Sequence, residues 1–181
     1  MIDFGPRPIR ESVTLTISSC DQFMVHPHIG TNAASNTAIP AASVAWYIPF
    51  SIPHPMTVYE VWVETGSLTT SNSIQIGVYD TAYNLLFSQA TTVATASDTV
   101  NSSGMTDVVL PGPANYYMAL ASDGTRNLLM QSLAIAGSYQ VMGLMEQTGL
   151  TGAALTNPGV PVAFTRTVVP LFGLNLRADA L

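Results

Sequence analysis

The sequence predicts an all-β chain, an antiparallel β-sandwich that is jelly-roll-like and carries an extended N-terminal arm. Three observations predict it. Apolar and polar residues alternate in short bursts, as in Ser43-Val-Ala-Trp-Tyr-Ile-Pro-Phe-Ser-Ile52 and Thr57-Val-Tyr-Glu-Val-Trp-Val-Glu64. A period of two puts successive side chains on opposite faces of a pleated strand. The bursts are separated by Gly, Asn, Ser and Asp at the spacing of a two-layer sandwich. The segment before residue 42 differs: Pro6, Pro8, Pro27 and Pro40 exclude a continuous helix or central strand there.

Residues 1–41 therefore form an arm, and residues 42–181 the sandwich domain. Within the arm, Val13, Leu15 and Ile17 alternate across 11–19 and predict one strand. Ile2, Phe4, Ile9, Phe23 and Val25 add more apolar side chains than a free tail carries. They need a surface, either the chain's own sandwich or a neighbour's. Arg7 and Arg10 suit carboxylates on such a surface, since the guanidinium fork binds them bidentately.

In the sandwich the expected strands are 43–52, 56–64, 73–79, 84–90, 106–110, 115–121, 127–134, 138–146 and 166–176. Pro53-His-Pro55 marks a corner between the first two, and Asp123-Gly124 a turn between the sixth and seventh. The stretch 127–137 does not alternate cleanly and fits a strand or a short helix. The stretches 91–104 and 148–161 lack periodicity and are expected as loops, of a length that usually means function or a covering partner. The inward set is Val44, Trp46, Ile48, Phe50 and Ile52, then Tyr59, Val61 and Val63, then Ile74, Ile76 and Val78. Tyr116, Met118 and Leu120, with Phe172, Leu174 and Leu176, complete it. The continuous apolar character of 168–176 places that strand inside a sheet. This phase points Trp62 outward between Glu60 and Glu64, either as an anchor in a contact or under a loop of its own chain.

Composition narrows the function. Of 181 residues, 48% are apolar and only 9% charged, against about 25% charged in typical domains. All five basic residues are Arg (7, 10, 126, 166 and 177) and none is Lys, the usual protector of sheet edges. Either neighbouring subunits cover much of the surface, or the composition is biased. A net charge of −6 argues against nucleic acid, which needs a basic stripe. No apolar run reaches the roughly 20 residues of a membrane span. The opening Met1-Ile-Asp-Phe-Gly-Pro-Arg has no signal-peptide pattern, and the lone Cys20 fits synthesis in a reducing cytoplasm.

Little in the sequence points to chemistry. His26, His28 and His54 come without the Cys or carboxylate partners of a metal site. Asp80, Asp98, Asp107 and Asp123 sit near strand ends without calcium-loop spacing and suit turns. There is no nucleophile elbow around any Ser, and Glu60 and Glu64 beside Trp62 suit a contact surface better than a catalytic pair. No enzyme activity, cofactor or metal is expected. Trp62, Tyr79 and Tyr83 either stack on sugar rings or simply cover the sheet face.

The run Trp46-Tyr-Ile-Pro-Phe-Ser-Ile-Pro-His-Pro-Met-Thr-Val58 resembles the opening of β-sandwich domains in bacteriophage virion proteins. Ile76-Gly-Val-Tyr-Asp80, Tyr116-Tyr-Met-Ala-Leu-Ala-Ser122 and the closing Val169-Pro-Leu-Phe-Gly-Leu-Asn-Leu176 resemble them too. The resemblance spans about residues 43–176 and lies in strand grammar, so it carries over no functional residues. It implies a structural protein of the virion, made in the host cytoplasm. A capsid decoration (cement) protein is the first expectation; a tail fibre, tail adaptor or receptor- or carbohydrate-binding module is the second. The expected partners are major capsid or tail subunits and further copies of the chain, with a trimer suggested by the analogy. The expected contact residues are Phe4, Arg7, Arg10, Glu60, Trp62 and Glu64.

Overall fold

A computed structural model describes residues 23–25, 35–38, 43–65, 72–93, 99–124, 127–132, 143–164 and 168–178. Among these the chain forms thirteen strands and no helix. They are β1 (Phe23–Val25), β2 (Ser35–Ala38), β3 (Val44–Ile52), β4 (Met56–Thr65), β5 (Asn72–Tyr79), β6 (Leu85–Val93) and β7 (Thr99–Leu110). β8 (Ala114–Ser122), β9 (Asn127–Ser132), β10 (Met145–Gln147), β11 (Val162–Ala163), β12 (Val168–Pro170) and β13 (Phe172–Ala178) follow.

The strands make two antiparallel sheets. In the seven-stranded sheet β13 lies between β1 and β4, and β7 also runs along β4. β9 joins that sheet through Thr65 at the end of β4, and β12 and β2 each pair with β9. The six-stranded sheet has the order β11-β10-β3-β8-β5-β6. β3 and β4, neighbours in sequence, belong to different sheets, so the Pro53-His54-Pro55 corner carries the chain across the sandwich.

The inner faces close on one apolar core. The six-stranded sheet contributes Val44, Trp46, Ile48, Ile74, Ile76 and Met118, among others. The facing sheet contributes Met56, Val58, Val61, Val63, Phe172 and Leu174. Each such side chain stabilises the fold by roughly 1.5–3 kcal/mol relative to exposure. The Trp46 indole N–H is buried there with no acceptor among the described residues. Its desolvation costs about 1–3 kcal/mol, which the packing of the large ring offsets.

The all-β sandwich is the expected one, and β13 is interior to its sheet. Several local expectations need correction. Tyr59 is not inward. The ladders of β4 with β7 and with β13 both slip at this point, Glu60 following Val58 in the register. A bulge of this kind adds one residue and reverses the phase of the strand. Val58 and Met56 therefore take the core positions ahead of it, while Val61 and Val63 hold theirs. Phe50 is only partly buried at the core margin.

The expected loop 91–104 is largely strand, since β6 continues to Val93 and β7 begins at Thr99. β7 pairs with β4 through backbone hydrogen bonds, which need no apolar alternation, and so a Ser-, Thr- and Gly-rich edge strand hides from a periodicity reading. The stretch from 127 is strand to Ser132, not helix. Of the expected strand 138–146, only the end forms in the described residues, as β10; 143–144 is a turn with Gly143 at φ 74°. The last strand is broken at Leu171 into β12 and β13. The strand expected in 11–19 lies outside the described residues. The segment read as an arm nonetheless supplies β1 and β2 to the seven-stranded sheet.

Candidate functional site

The residues expected to meet a partner fall into two groups. Phe4, Arg7 and Arg10 lie outside the described residues. Glu60, Trp62 and Glu64 share the outer face of β4, as expected. Trp62, however, is only 7% exposed, so the chain itself covers it, and it stands opposite the buried Gly173 of β13. Glu60 is half-buried and accepts a hydrogen bond from Asn175 Nδ2 at 2.5 Å. The Glu64 N–H donates to the Leu171 carbonyl at 2.9 Å, where β12 and β13 divide. Beside them Arg177 pairs with Asp107 and lies 5.8 Å from the Tyr59 ring centroid.

Among the described residues, the most elaborate side-chain network lies elsewhere, on the outer face of the six-stranded sheet. β3 and β8 are apolar at outward as well as inward positions: Ala45 and Tyr47 on one, Ala119 and Ala121 on the other. With Tyr79 of β5 they form a second buried cluster, closed by Leu150 and Leu155. Both leucines belong to 148–161, which lies as a strap across the sheet. The expectation of a loop there holds, but the surface it covers is the chain's own. Small Ala side chains let the strap approach, and Tyr47 and Tyr79 fill the space beneath it.

The strap is tied down along its length. Leu150 N donates to the Ser43 carbonyl (3.1 Å), and Leu155 N to Gln75 Oε1 (2.6 Å). Thr156 O accepts from the Tyr79 hydroxyl (2.8 Å). Asn157 Oδ1 accepts from Leu85 N (3.1 Å), and Gly159 N donates to the Tyr83 carbonyl (2.9 Å). Gln147, buried at the root of the strap, binds both its ends. Its Oε1 accepts from the Tyr47 hydroxyl (2.7 Å) and from Val160 N (3.0 Å). Those two donors fill the carbonyl lone pairs, so Thr156 acts chiefly as acceptor for Gln147 Nε2 at 2.9 Å.

Backbone conformation matches this role. Among the described residues, Ser43 (φ 61°) and Tyr83 (φ 63°) are the non-glycine residues with positive φ. They are also the two whose carbonyls receive the strap's N–H groups at Leu150 and Gly159. Tyr83 closes the β5–β6 turn, where Tyr83 N donates to the Asp80 carbonyl and Asp80 N to the Asn84 carbonyl, both at 3.1 Å. Such a position usually holds Gly or Asn, because the left-handed region costs other residues about 1 kcal/mol or more. Here the ring pays that cost through contacts. Its centroid is 5.2 Å from that of Tyr117 and 6.4 Å from that of Tyr47, and its hydroxyl reaches Met145 Sδ at 3.4 Å. Gly159 is required by close approach, since a Cβ there would sit 2.9 Å from the Tyr47 hydroxyl and 3.1 Å from Tyr79 Cε1.

Electrostatics fit a structural use. Burial raises the hydroxyl pKa of Tyr47 and of Tyr79, and pushes that of Tyr83 up to about 12. All three are neutral hydrogen-bond donors at ordinary pH. The Asp80 carboxyl is held below its usual range by hydrogen bonds from Asn84 and Ala82, as a turn residue would be. His54 Nδ1 lies 3.0 Å from the Pro55 carbonyl in the corner. His26, His28 and Asp98 lie outside the described residues. Among the described residues no group of three His, Cys, Asp or Glu side chains is placed to hold a metal ion. Of the aromatics weighed as a sugar platform, Trp62 and Tyr79 are buried and Tyr83 is half-buried, so the three do not form an open platform.

No family model, curated protein or solved structure matches this chain.

Proposed function

We propose that this chain is a non-enzymatic structural component of a bacteriophage particle, a capsid decoration protein that works through its surfaces. The observation that carries the reading is where its polar and apolar groups are used. The buried hydrogen-bonding side chains of Tyr47 and Gln147, with the half-buried Thr156, tie the chain to itself. Among the described residues the exposed large apolar ones, Leu86, Val109, Val160 and Val162, stand on or beside edge strands of the two sheets. A domain that spends its polar side chains internally and leaves apolar ones at its edges suits assembly. The phage assignment within that class rests on the strand runs quoted above. The test is quantitative mass spectrometry of purified particles. A copy number near that of the major capsid protein supports decoration, a handful per particle moves the chain to the tail, and absence from particles removes the reading.

A further inference from the structure

The Asp123-Gly124 turn beyond β8 serves neither the core nor the strap. It is the one place in the sequence where an Asp or Asn precedes Gly. That order matters chemically. The backbone nitrogen that follows an Asp can close a five-membered ring on the side-chain carboxyl carbon, and glycine has no Cβ to crowd that nitrogen or narrow its backbone freedom. Asp123 is exposed and stands just past the ladder, whose closing pair with β5 is Ser122 with Ile74. Both reacting groups are lightly held. Asp123 Oδ1 accepts from Ser73 N at 3.3 Å, and Gly124 N donates to Ser122 Oγ at 3.4 Å. These are longer than the roughly 2.7–3.2 Å of well-formed N–H···O bonds. The other described aspartates differ on both counts. Asp80 precedes Thr81, and its carboxylate accepts from Ala82 N (2.8 Å), Asn84 N (2.9 Å) and Asn84 Nδ2 (2.8 Å). Asp107 precedes Val108 within β7 and pairs with Arg177.

We propose that Asp123-Gly124 is a site of spontaneous covalent modification, where Asp123 isomerises in the folded chain through a cyclic imide to isoaspartate. The proposal does not rest on the assembly reading. The reacting form is the protonated carboxyl, which solvent supplies at an exposed residue. Gly124 N attacks Asp123 Cγ, a ring N–C bond forms, and the carboxyl hydroxyl leaves with the amide proton as water. Nucleophile and carboxyl belong to one short stretch of chain, so no encounter has to be arranged. Water then opens the ring. Cleavage of the new bond restores aspartate. Cleavage of the original peptide bond leaves the main chain running through Cβ and Cγ, with the free carboxylate now on Cα. Atoms balance, and the chain keeps its mass and charge. The geometry of the turn does not survive. Asp123 at present ties β8 to the start of β5 at two points, donating its N–H to the Ser73 carbonyl (3.2 Å) while its side chain takes the Ser73 N–H. In isoaspartate the side chain that makes the second tie has become main chain, so Ser73 N loses its acceptor.

The test incubates the folded full-length chain near neutral pH in water enriched in heavy oxygen. Peptides are then mapped by mass spectrometry with electron-transfer fragmentation, which tells isoaspartate from aspartate. Isoaspartate should accumulate at 123, carrying heavy oxygen from the ring opening, while Asp80 and Asp107 stay unmodified. Amide exchange at Ser73 should be faster in the isomerised fraction. Gly124→Ala should slow the reaction at least about fivefold, because it adds a Cβ beside the attacking nitrogen. Asp123→Asn keeps an Oδ1 acceptor for Ser73 N and closes the same ring with loss of ammonia, so its amide should convert to aspartate and isoaspartate. Circular dichroism matching wild type shows each variant folded. A reference peptide spanning 119–129 sets the rate of the unfolded sequence. A folded chain that stays unmodified at 123 while the peptide isomerises would overturn the proposal, since the fold would then lock the turn. So would isomerisation spread evenly over Asp80, Asp107 and Asp123, a Gly124→Ala rate equal to wild type, or an Asp123→Asn chain that keeps its amide.

Discussion

Replacing Gln147 with Ala tests whether the strap is held by hydrogen bonding as described. The substitution strips partners from two donors, the Tyr47 hydroxyl and Val160 N. Tyr47 is fully buried, so its stranded hydroxyl costs about 1–3 kcal/mol. Val160 is 67% exposed and its N–H can turn to water, which limits its share to about 1 kcal/mol or less. Q147A should therefore lose about 3 kcal/mol. Tyr47→Phe alone should lose only about 1 kcal/mol, because Gln147 Oε1 keeps its bond from Val160. The combination decides the matter. Once Gln147 is gone, Tyr47→Phe removes the stranded hydroxyl, so the double variant should be more stable than Q147A by about 1 kcal/mol. Urea unfolding of the four proteins at matched m-values reads these differences. Additive losses, or a Q147A loss within about 0.5 kcal/mol of wild type, would refute the network as the strap's anchor.

Tyr83→Gly relieves the left-handed backbone but gives up the ring contacts, so it should destabilise by about 1–2 kcal/mol, while Tyr83→Ala should be about 1 kcal/mol worse than Gly. An alanine variant at least as stable as the glycine one would show that no strain is stored there. The raised tyrosine pKa values mean that the folded state holds protons the unfolded chain releases. Stability should be unaffected by these groups below about pH 10 and fall as pH rises from about 10 toward 12; tyrosinate absorbance from Tyr47, Tyr79 and Tyr83 should appear with unfolding, not before it. Deleting residues 168–181 removes β12 and β13 and strips β4 of its neighbour on one side along 56–63, so the truncated chain should not fold, and a cooperative melt of a soluble product would contradict this.

The legible parts of the fold are those where one face of a strand is buried. β3, β5 and β8 announced themselves by alternation, and Trp46, Ile76 and Met118 took the positions that the period assigns. Where alternation is not what holds a strand, the sequence was silent. Of β7 only 106–110 was expected as strand; the rest is held by its partner β4 and not by alternation of its own side chains. The bulge at Tyr59 turns on ladder geometry that no residue of Val58-Tyr-Glu60 encodes visibly. The strap site was half legible. Val44-Ala-Trp-Tyr-Ile48 and Met118-Ala-Leu-Ala121 are also apolar without a break, the sign of strands covered on both faces, which a reading by alternation passes over. What lies there was not readable. The strap is placed by Gln75 and Asn157 binding backbone groups far away in sequence, by Gln147 joining Val160 to the distant Tyr47 hydroxyl, and by positive φ at Ser43 and Tyr83, where glycine would have been the signal.

The position of β13 bears on when the molecule can fold. Its neighbours, β1 and β4, are built from residues 23–25 and 56–65, so both must wait through synthesis of more than a hundred residues for the strand that lies between them. During that wait the apolar side chains of β4, Val58, Val61 and Val63, belong to an unfinished sheet whose open edge can accept any strand that comes near. Long-range pairings of this kind are slow to form and leave such edges exposed while they do. In a crowded cell producing many copies at once, the first strand to reach β4 can come from another chain. The yield of soluble protein should therefore depend on the rate of synthesis, with slower expression at lower temperature giving more folded product from the same sequence.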